Sequence, residues 1–171
     1  TKHLWFDLQI NSMAESSKVR RQLQTRREQI QGLDCSDEAI QSILLFLDAY
    51  DPNVLAIEPP LDEGRGRREN TLADSSLLAY ASTLKRTATW VDLLDVTARE
   101  LNQVADGRIR GTHESVNGDG LSQNTIHQNQ IAWRSWAQFH ENHPRGHSLT
   151  LDADNIVLVD RDETTVDKRD M

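Results

Sequence analysis

From Ser122 to about His140, the side chains Ile126, Ala132, Trp133, Trp136 and Phe139 recur at the spacing of one helix face. Three of the nine aromatic residues (four Trp, three Phe, two Tyr) fall on that stripe. A face this bulky has to be covered, and an amphipathic helix is covered most simply by other helices. Ser122 is a good N-cap for it, and the aromatic stripe reads as core rather than as a platform for stacking bases.

The rest of the chain supplies such helices. Ser36 caps a second one, with Asp37 and Glu38 in its first turn, where the helix dipole favours acids. Its buried stripe is Ile40, Ile43, Leu44 and Leu47, and Pro52 ends it. Residues 51–70 hold three of the four prolines and two glycines, so a loop or hinge is predicted there. A third helix starts near Asn70, with Leu72, Leu77, Leu78, Ala81 and Leu84 on its apolar side. Thr97-Ala98-Arg99-Glu100 is a capping box that opens a short helix through Leu101 and Val104.

Gly107 to Gly120 reads as a flexible, polar loop. Residues 149–159 alternate loosely, as a short strand or an extended linker would. Residues 1–12 read as an appendage, with Met13 a possible internal start, and Ser17–Leu33 as a polar helix with sparse apolar positions at Val19, Leu23, Ile30 and Leu33. Arg20, Arg21, Arg26 and Arg27 make that helix the most basic part of the chain, either a solvated face or an arm that tracks phosphates. No internal repeat is visible.

Composition excludes several classes. The longest apolar run, Ile43 to Leu47, is far short of the roughly 20 residues a membrane-spanning helix needs. The single Cys35 excludes an intrachain disulfide and points to a reducing, cytoplasmic setting, with the thiol as a small core filler. The net charge of −8 argues against a generic nucleic-acid binder. That charge is segregated, however. Residues 34–63 carry eight acids and no Lys or Arg, residues 151–171 carry seven acids against three bases, and everything else sums to +4. Adaptation to a salty cytoplasm is one reading of the excess acid, and two solvated faces are the other.

Catalytic constellations are missing from the sequence. It has no glycine-rich phosphate loop, no cysteine pair for zinc and no nucleophile elbow. His140, His143 and His147 share a segment with Glu141, but Pro144 breaks the helix that would set their geometry, so no metal is expected. Asp152-Ala153-Asp154-Asn155 imitates the start of a calcium loop without its glycine at the sixth position or its closing glutamate.

Three segments in order carry a family likeness. The first is Asn70-Thr71-Leu72 leading into Leu78-Ala79-Tyr80-Ala81-Ser82-Thr83-Leu84-Lys85-Arg86. The second is Asp95-Val96-Thr97-Ala98-Arg99-Glu100-Leu101-Asn102. The third is Gly120-Leu121-Ser122-Gln123-Asn124-Thr125-Ile126, ending in Trp133-Arg134-Ser135-Trp136-Ala137-Gln138-Phe139-His140. Together they resemble the core-binding, SAM-like domain of tyrosine recombinases, the phage integrase family. The ending Thr165–Met171 looks like the linker that enters the catalytic domain of that family, and the acidity is similar to that of integrase-like proteins of halophilic archaea.

The resemblance implies an all-α, SAM-like bundle of four to five helices. The resemblance covers about residues 36–171, so the chain is expected to divide into a partly helical, basic N-terminal extension (1–33), a core-binding domain (34–148) and a linker (149–171) toward a missing catalytic domain. It implies double-stranded DNA as the partner, with other recombinase subunits as further partners, no membrane, no small-molecule substrate and no cofactor. The family's chemistry needs a tyrosine nucleophile with two arginines, a lysine and a histidine in a C-terminal domain. Here the only tyrosines are Tyr50 and Tyr80, both on predicted helices, and no His-x-x-Arg occurs. No catalysis is therefore expected of this chain, which would be a fragment of a longer recombinase or a stand-alone truncated product. By position, the DNA-facing residues are Asn124, Thr125, His127, Gln128 and Arg134 on the long helix. Lys85, Arg86, Arg108 and Arg110 are the phosphate candidates, the last two in the loop after the short helix. The competing expectation is a helical protein–protein module or a recombinase fragment that does not bind DNA, and an inert relic is a third.

Overall fold

The computed structural model describes residues 2–57, 71–116 and 118–160, with side chains from residue 17 onward. The fold is all-α. Among the described residues there are five α-helices, one 3-10 turn and no strand. The expected entry linker at 165–171 and most of the expected hinge lie outside the described residues.

The chain forms two compact units, Thr1–Trp90 and Val91–Met171. The first holds α1 (Lys2–Gln31), α2 (Asp37–Tyr50) and α3 (Asp74–Ala88), each packed on the other two. Ser36 caps α2 as expected, its hydroxyl accepting the Ala39 N–H at 3.2 Å. Ile43, Phe46 and Leu47 on α2 and Leu77, Ala81 and Leu84 on α3 are fully enclosed. Each large side chain so buried contributes roughly 1.5–3 kcal/mol. Tyr80, the central tyrosine of the family-like helix, sits with its ring 6.0 Å from that of Phe46, which also meets Tyr50 edge-on at 5.2 Å. Cys35 is half-buried.

The segment expected as an N-terminal extension is part of this unit. Leu23 and Ile30 are 1% and 0% exposed, so α1 contributes to the core rather than trailing from it. Its helix also continues without interruption from Lys2 through the stretch expected as an appendage.

The second unit holds α4 (Ala98–Arg110), α5 (Gln123–Asn142) and a 3-10 turn at Ala153–Asn155 that packs on both helices. Thr97 caps α4 by accepting the Glu100 N–H, and its hydroxyl donates to the Glu100 carboxylate, both at 3.1 Å. Ser122 caps α5 by accepting the Thr125 N–H at 3.2 Å. Trp133, Trp136 and Phe139 are all core, at 1% exposure or less.

Helix α4 runs past Gly107, where a loop is expected to begin, and stops only at Gly111. Gly111 has φ 78°, the left-handed conformation that glycine alone adopts freely at a helix end. The chain then folds back on the helix it has left. The Leu121 N–H donates to the Arg108 carbonyl at 2.9 Å, and a Cβ on Gly120 would overlap the Ile109 carbonyl. The glycine of the Gly120-Leu121-Ser122 signature is therefore required by a close backbone approach that sets where α5 begins.

Beyond α5, residues 149–160 are neither strand nor free linker. Leu151, Ala153 and Ile156 are 3–6% exposed and seal the unit. The Asp152 carboxylate caps the 3-10 turn, accepting from the Asp154 N–H and the Asn155 side-chain amide at 3.1 and 3.2 Å. The resemblance to a calcium loop is thus a turn that caps itself.

Candidate functional site

Helix α5 shows two unlike sides. Ile126, Gln130, Trp133, Trp136, Ala137 and His140 are buried, while Gln123, Thr125, Gln128 and Gln138 are exposed, with Asn124, Arg134 and Ser135 half-buried between them. From Leu121 to His140 there is no Asp or Glu, in a chain that carries 27 of them. Arg134 is half-buried, and its Nε is enclosed with no hydrogen-bond partner among the described residues. Its neighbours on the outer side are amides and hydroxyls, which both donate and accept.

The candidate residues divide between the units. Lys85 and Arg86 lie in the last turn of α3, half-buried and exposed respectively, where cations suit the helix dipole. The other seven lie in the second unit. Arg110 is exposed at the end of α4 and pairs loosely with Asp106 one turn back, Nε to Oδ1 at 3.1 Å, with both side chains more than half exposed. Such a pair is worth about 0–1 kcal/mol and gives way easily to a better anion.

Arg108 and Arg110 stand elsewhere than expected, and Thr125 and His127 each have a partner within the unit. Arg108 belongs to α4 rather than to a loop, and at 3% exposure its side chain is buried within the unit. Thr125 shares a 2.9 Å hydroxyl contact with Ser122 at the helix cap. His127 is half-buried, and its Nδ1–H donates to the Val159 carbonyl at 2.7 Å. Thr125, Gln128 and Arg110 are exposed, and Asn124 and Arg134 half-buried, as the outward set of this unit.

The basic helix α1 is answered inside its own unit. Arg20 forms a fork on Asp51, Nη1 to Oδ1 at 3.0 Å and Nη2 to Oδ2 at 2.8 Å, and also reaches Asp74 at 3.0 Å. Arg27 pairs with Asp48. Hydrogen bonding to Asp51, opposed in part by burial, raises the Arg20 pKa above its already high ordinary value. Neither a solvated face nor a phosphate arm describes these two arginines.

The histidine segment is also structurally occupied. His140 is buried, its Nδ1 accepting the His147 N–H at 3.0 Å and its ring edge-on to Trp136 and Phe139. The His143 Nδ1 accepts the Arg145 N–H at 3.1 Å. Among the described residues no group of three His, Cys, Asp or Glu side chains gathers to hold a metal, and no helix is long and apolar enough to cross a membrane.

Sequence reasoning missed two side chains, Asn102 and Gln130. Each makes a pair of hydrogen bonds to the backbone of residues 155–159. Gln130 had a readable signal, because it lies four residues after Ile126 and three before Trp133, on the core stripe. No protein family, curated protein or solved structure matches this chain.

Proposed function

We propose that this chain is the DNA-clamping, core-binding part of a tyrosine-type site-specific recombinase, holding duplex DNA while a separate catalytic domain cleaves it. The observation that carries the reading is the acid-free outer side of α5. A helix can enter the major groove, and Asn, Gln and Arg read base edges or hold phosphates there. A merely solubilising face would be rich in Glu and Lys. The order of the three family-like segments supports the same reading, with Gly120 and Ser122 fixing the start of the helix.

In this reading Asn124 and Gln128 meet base edges, while Arg134, Arg110, Lys85 and Arg86 hold phosphates. Binding is weak and salt-sensitive, because few cations are on offer. With two to four phosphates neutralised, log K falls against log salt with a slope of about −2 to −4. Fluorescence anisotropy with labelled duplexes over a salt titration tests this, comparing the parent chain with a Lys85→Ala/Arg86→Ala/Arg134→Ala variant. Salt-dependent binding that weakens in the variant supports the clamp. Absence of binding to any duplex at low salt refutes it and leaves a protein-interaction module as the better account.

A further inference from the structure

The backbone of residues 155–159 is read by side chains in the way a strand is read by a neighbouring strand. The Asn102 amide donates to the Asn155 carbonyl at 3.2 Å and accepts the Val157 N–H at 3.0 Å. The Gln130 amide donates to the Val157 carbonyl and accepts the Val159 N–H, both at 2.8 Å. His127 closes the row on the Val159 carbonyl at 2.7 Å. The engaged positions are alternate residues, 155, 157 and 159, which is the period of an extended strand. The two amides and the imidazole stand where an adjacent strand's peptide groups would be.

What they hold is main chain, not side chain. Val157 is 69% exposed and Leu158 and Val159 are half-buried, whereas Leu151, Ala153 and Ile156 just before them are almost wholly enclosed. The full apolar anchoring therefore stops at Ile156, and residues 157–159 are retained chiefly by polar contacts to their backbone. Gln130 itself is 1% exposed. With the segment lifted, its amide would exchange two hydrogen bonds to an extended backbone for hydrogen bonds to water. The site's donors and acceptors are spaced to match an extended backbone.

We propose that Asn102, Gln130 and His127 form a binding site for an extended peptide main chain, filled here by the chain's own residues 155–159 and able to take the same segment supplied from outside. The ligand class is an extended peptide with free N–H groups two residues apart, read with little regard to its side chains. The tethered copy has an effective concentration in the millimolar range, so it excludes a competitor present at micromolar levels. Release of the tethered segment opens the site to the equivalent segment of a second copy.

The probe is a fluorescein-labelled peptide of residues 150–160, added to the full chain and to a Val157→Pro/Val159→Pro variant. The two prolines remove the N–H groups that Asn102 and Gln130 accept, while Pro remains compatible with an extended chain. The expected result is binding at least about tenfold tighter to the proline variant than to the parent chain, as removal of a tethered competitor requires. Adding Gln130→Ala to that variant abolishes the gain, and an unlabelled peptide carrying both prolines does not compete. Equal binding to a helical, folded variant and to the parent overturns the proposal. Amide hydrogen exchange on the unaltered chain decides the matter if the variant does not fold. Val157 and Val159 should be protected relative to Asp160, and exchange as fast as in an unstructured peptide overturns the proposal.

Discussion

Replacing Arg20 by Met tests whether the basic helix is structural or a nucleic-acid arm. Met keeps most of the apolar stem and removes the guanidinium. The change deletes three charge-assisted hydrogen bonds, two to Asp51 and one to Asp74. The Asp51 side chain is only 2% exposed, so its carboxylate is left buried with the Asn53 N–H at 2.9 Å as a remaining donor. Breaking a fully buried pair costs about 3–5 kcal/mol. Arg20 is 33% exposed and one donor to Asp51 survives, so we expect about 2–3 kcal/mol here.

Urea unfolding followed by far-ultraviolet circular dichroism measures that loss, and hydrogen exchange in α2 and α3 assigns it to the first unit. Asp51→Asn in the Arg20→Met background should recover about 1–2 kcal/mol, because a neutral amide no longer buries a charge. The loss should persist in 1 M salt, which screens exposed pairs far more than partly buried ones. Arg20 has its pKa raised in the folded state, so its contribution is complete below the unfolded value and is lost only above the folded one. The difference between parent and variant is therefore constant from neutral pH to about pH 10. DNA affinity should change less than about twofold, since this arginine is not offered to phosphate. A stability loss under about 1 kcal/mol together with a flatter salt dependence of DNA binding would refute the assignment and restore the arm.

Gly120→Ala should destabilise the second unit by about 1–3 kcal/mol, because the new Cβ overlaps the Ile109 carbonyl and the loop must retreat; thermal unfolding reads it. Ser122→Ala should cost about 1 kcal/mol through loss of the α5 cap, with hydrogen exchange accelerated at the Thr125 amide. In the anisotropy assay, Arg134→Ala should make the salt slope shallower by about 0.9, whereas Gln128→Ala should weaken binding at unchanged slope. Identical effects of the two would refute their separate roles. Trp133→Ala should cost about 3–5 kcal/mol, and a loss under 1 kcal/mol would contradict its place in the core.

What is legible in the sequence is local. Ser36, Thr97 and Ser122 act as caps because each places a hydroxyl beside an unpaired N–H three residues on, a relation contained in four consecutive residues. The Trp133, Trp136 and Phe139 stripe is readable for the same reason. Gly107 misleads: it reads as a breaker, yet it is helical, and its carbonyl accepts from Thr112 and His113 where the chain turns back at Gly111. Sparse hydrophobicity also misleads at α1, where Leu23 and Ile30 suffice because Arg20 and Arg27 lie on the same stripe and find carboxylates. The 20, 23, 27, 30 spacing is there to be read, but the partners at Asp48, Asp51 and Asp74 lie 21 to 54 residues away. The backbone-reading amides are harder still, since Asn102 meets residues 53 and 55 positions further on.

The same pairing changes the meaning of the net charge. Eight acids at 34–63 look, by count alone, like a surface that repels DNA. Within the first unit, Asp48 and Asp51 are engaged by Arg27 and Arg20, so the acidic block and the basic helix neutralise each other where they meet. Asp37 and Glu38 stand at the N-terminus of α2, where the helix dipole accommodates them. A charge of −8 is therefore a property of the whole chain and not of each face. Phosphates respond to the local field within about 10 Å at ordinary salt. On α5 that neighbourhood along the helix is supplied by Asn124, Gln128 and Arg134, with no carboxylate before Glu141. An acidic chain and a DNA-facing α5 are compatible to the extent that carboxylates such as Asp48 and Asp51 are answered within the first unit.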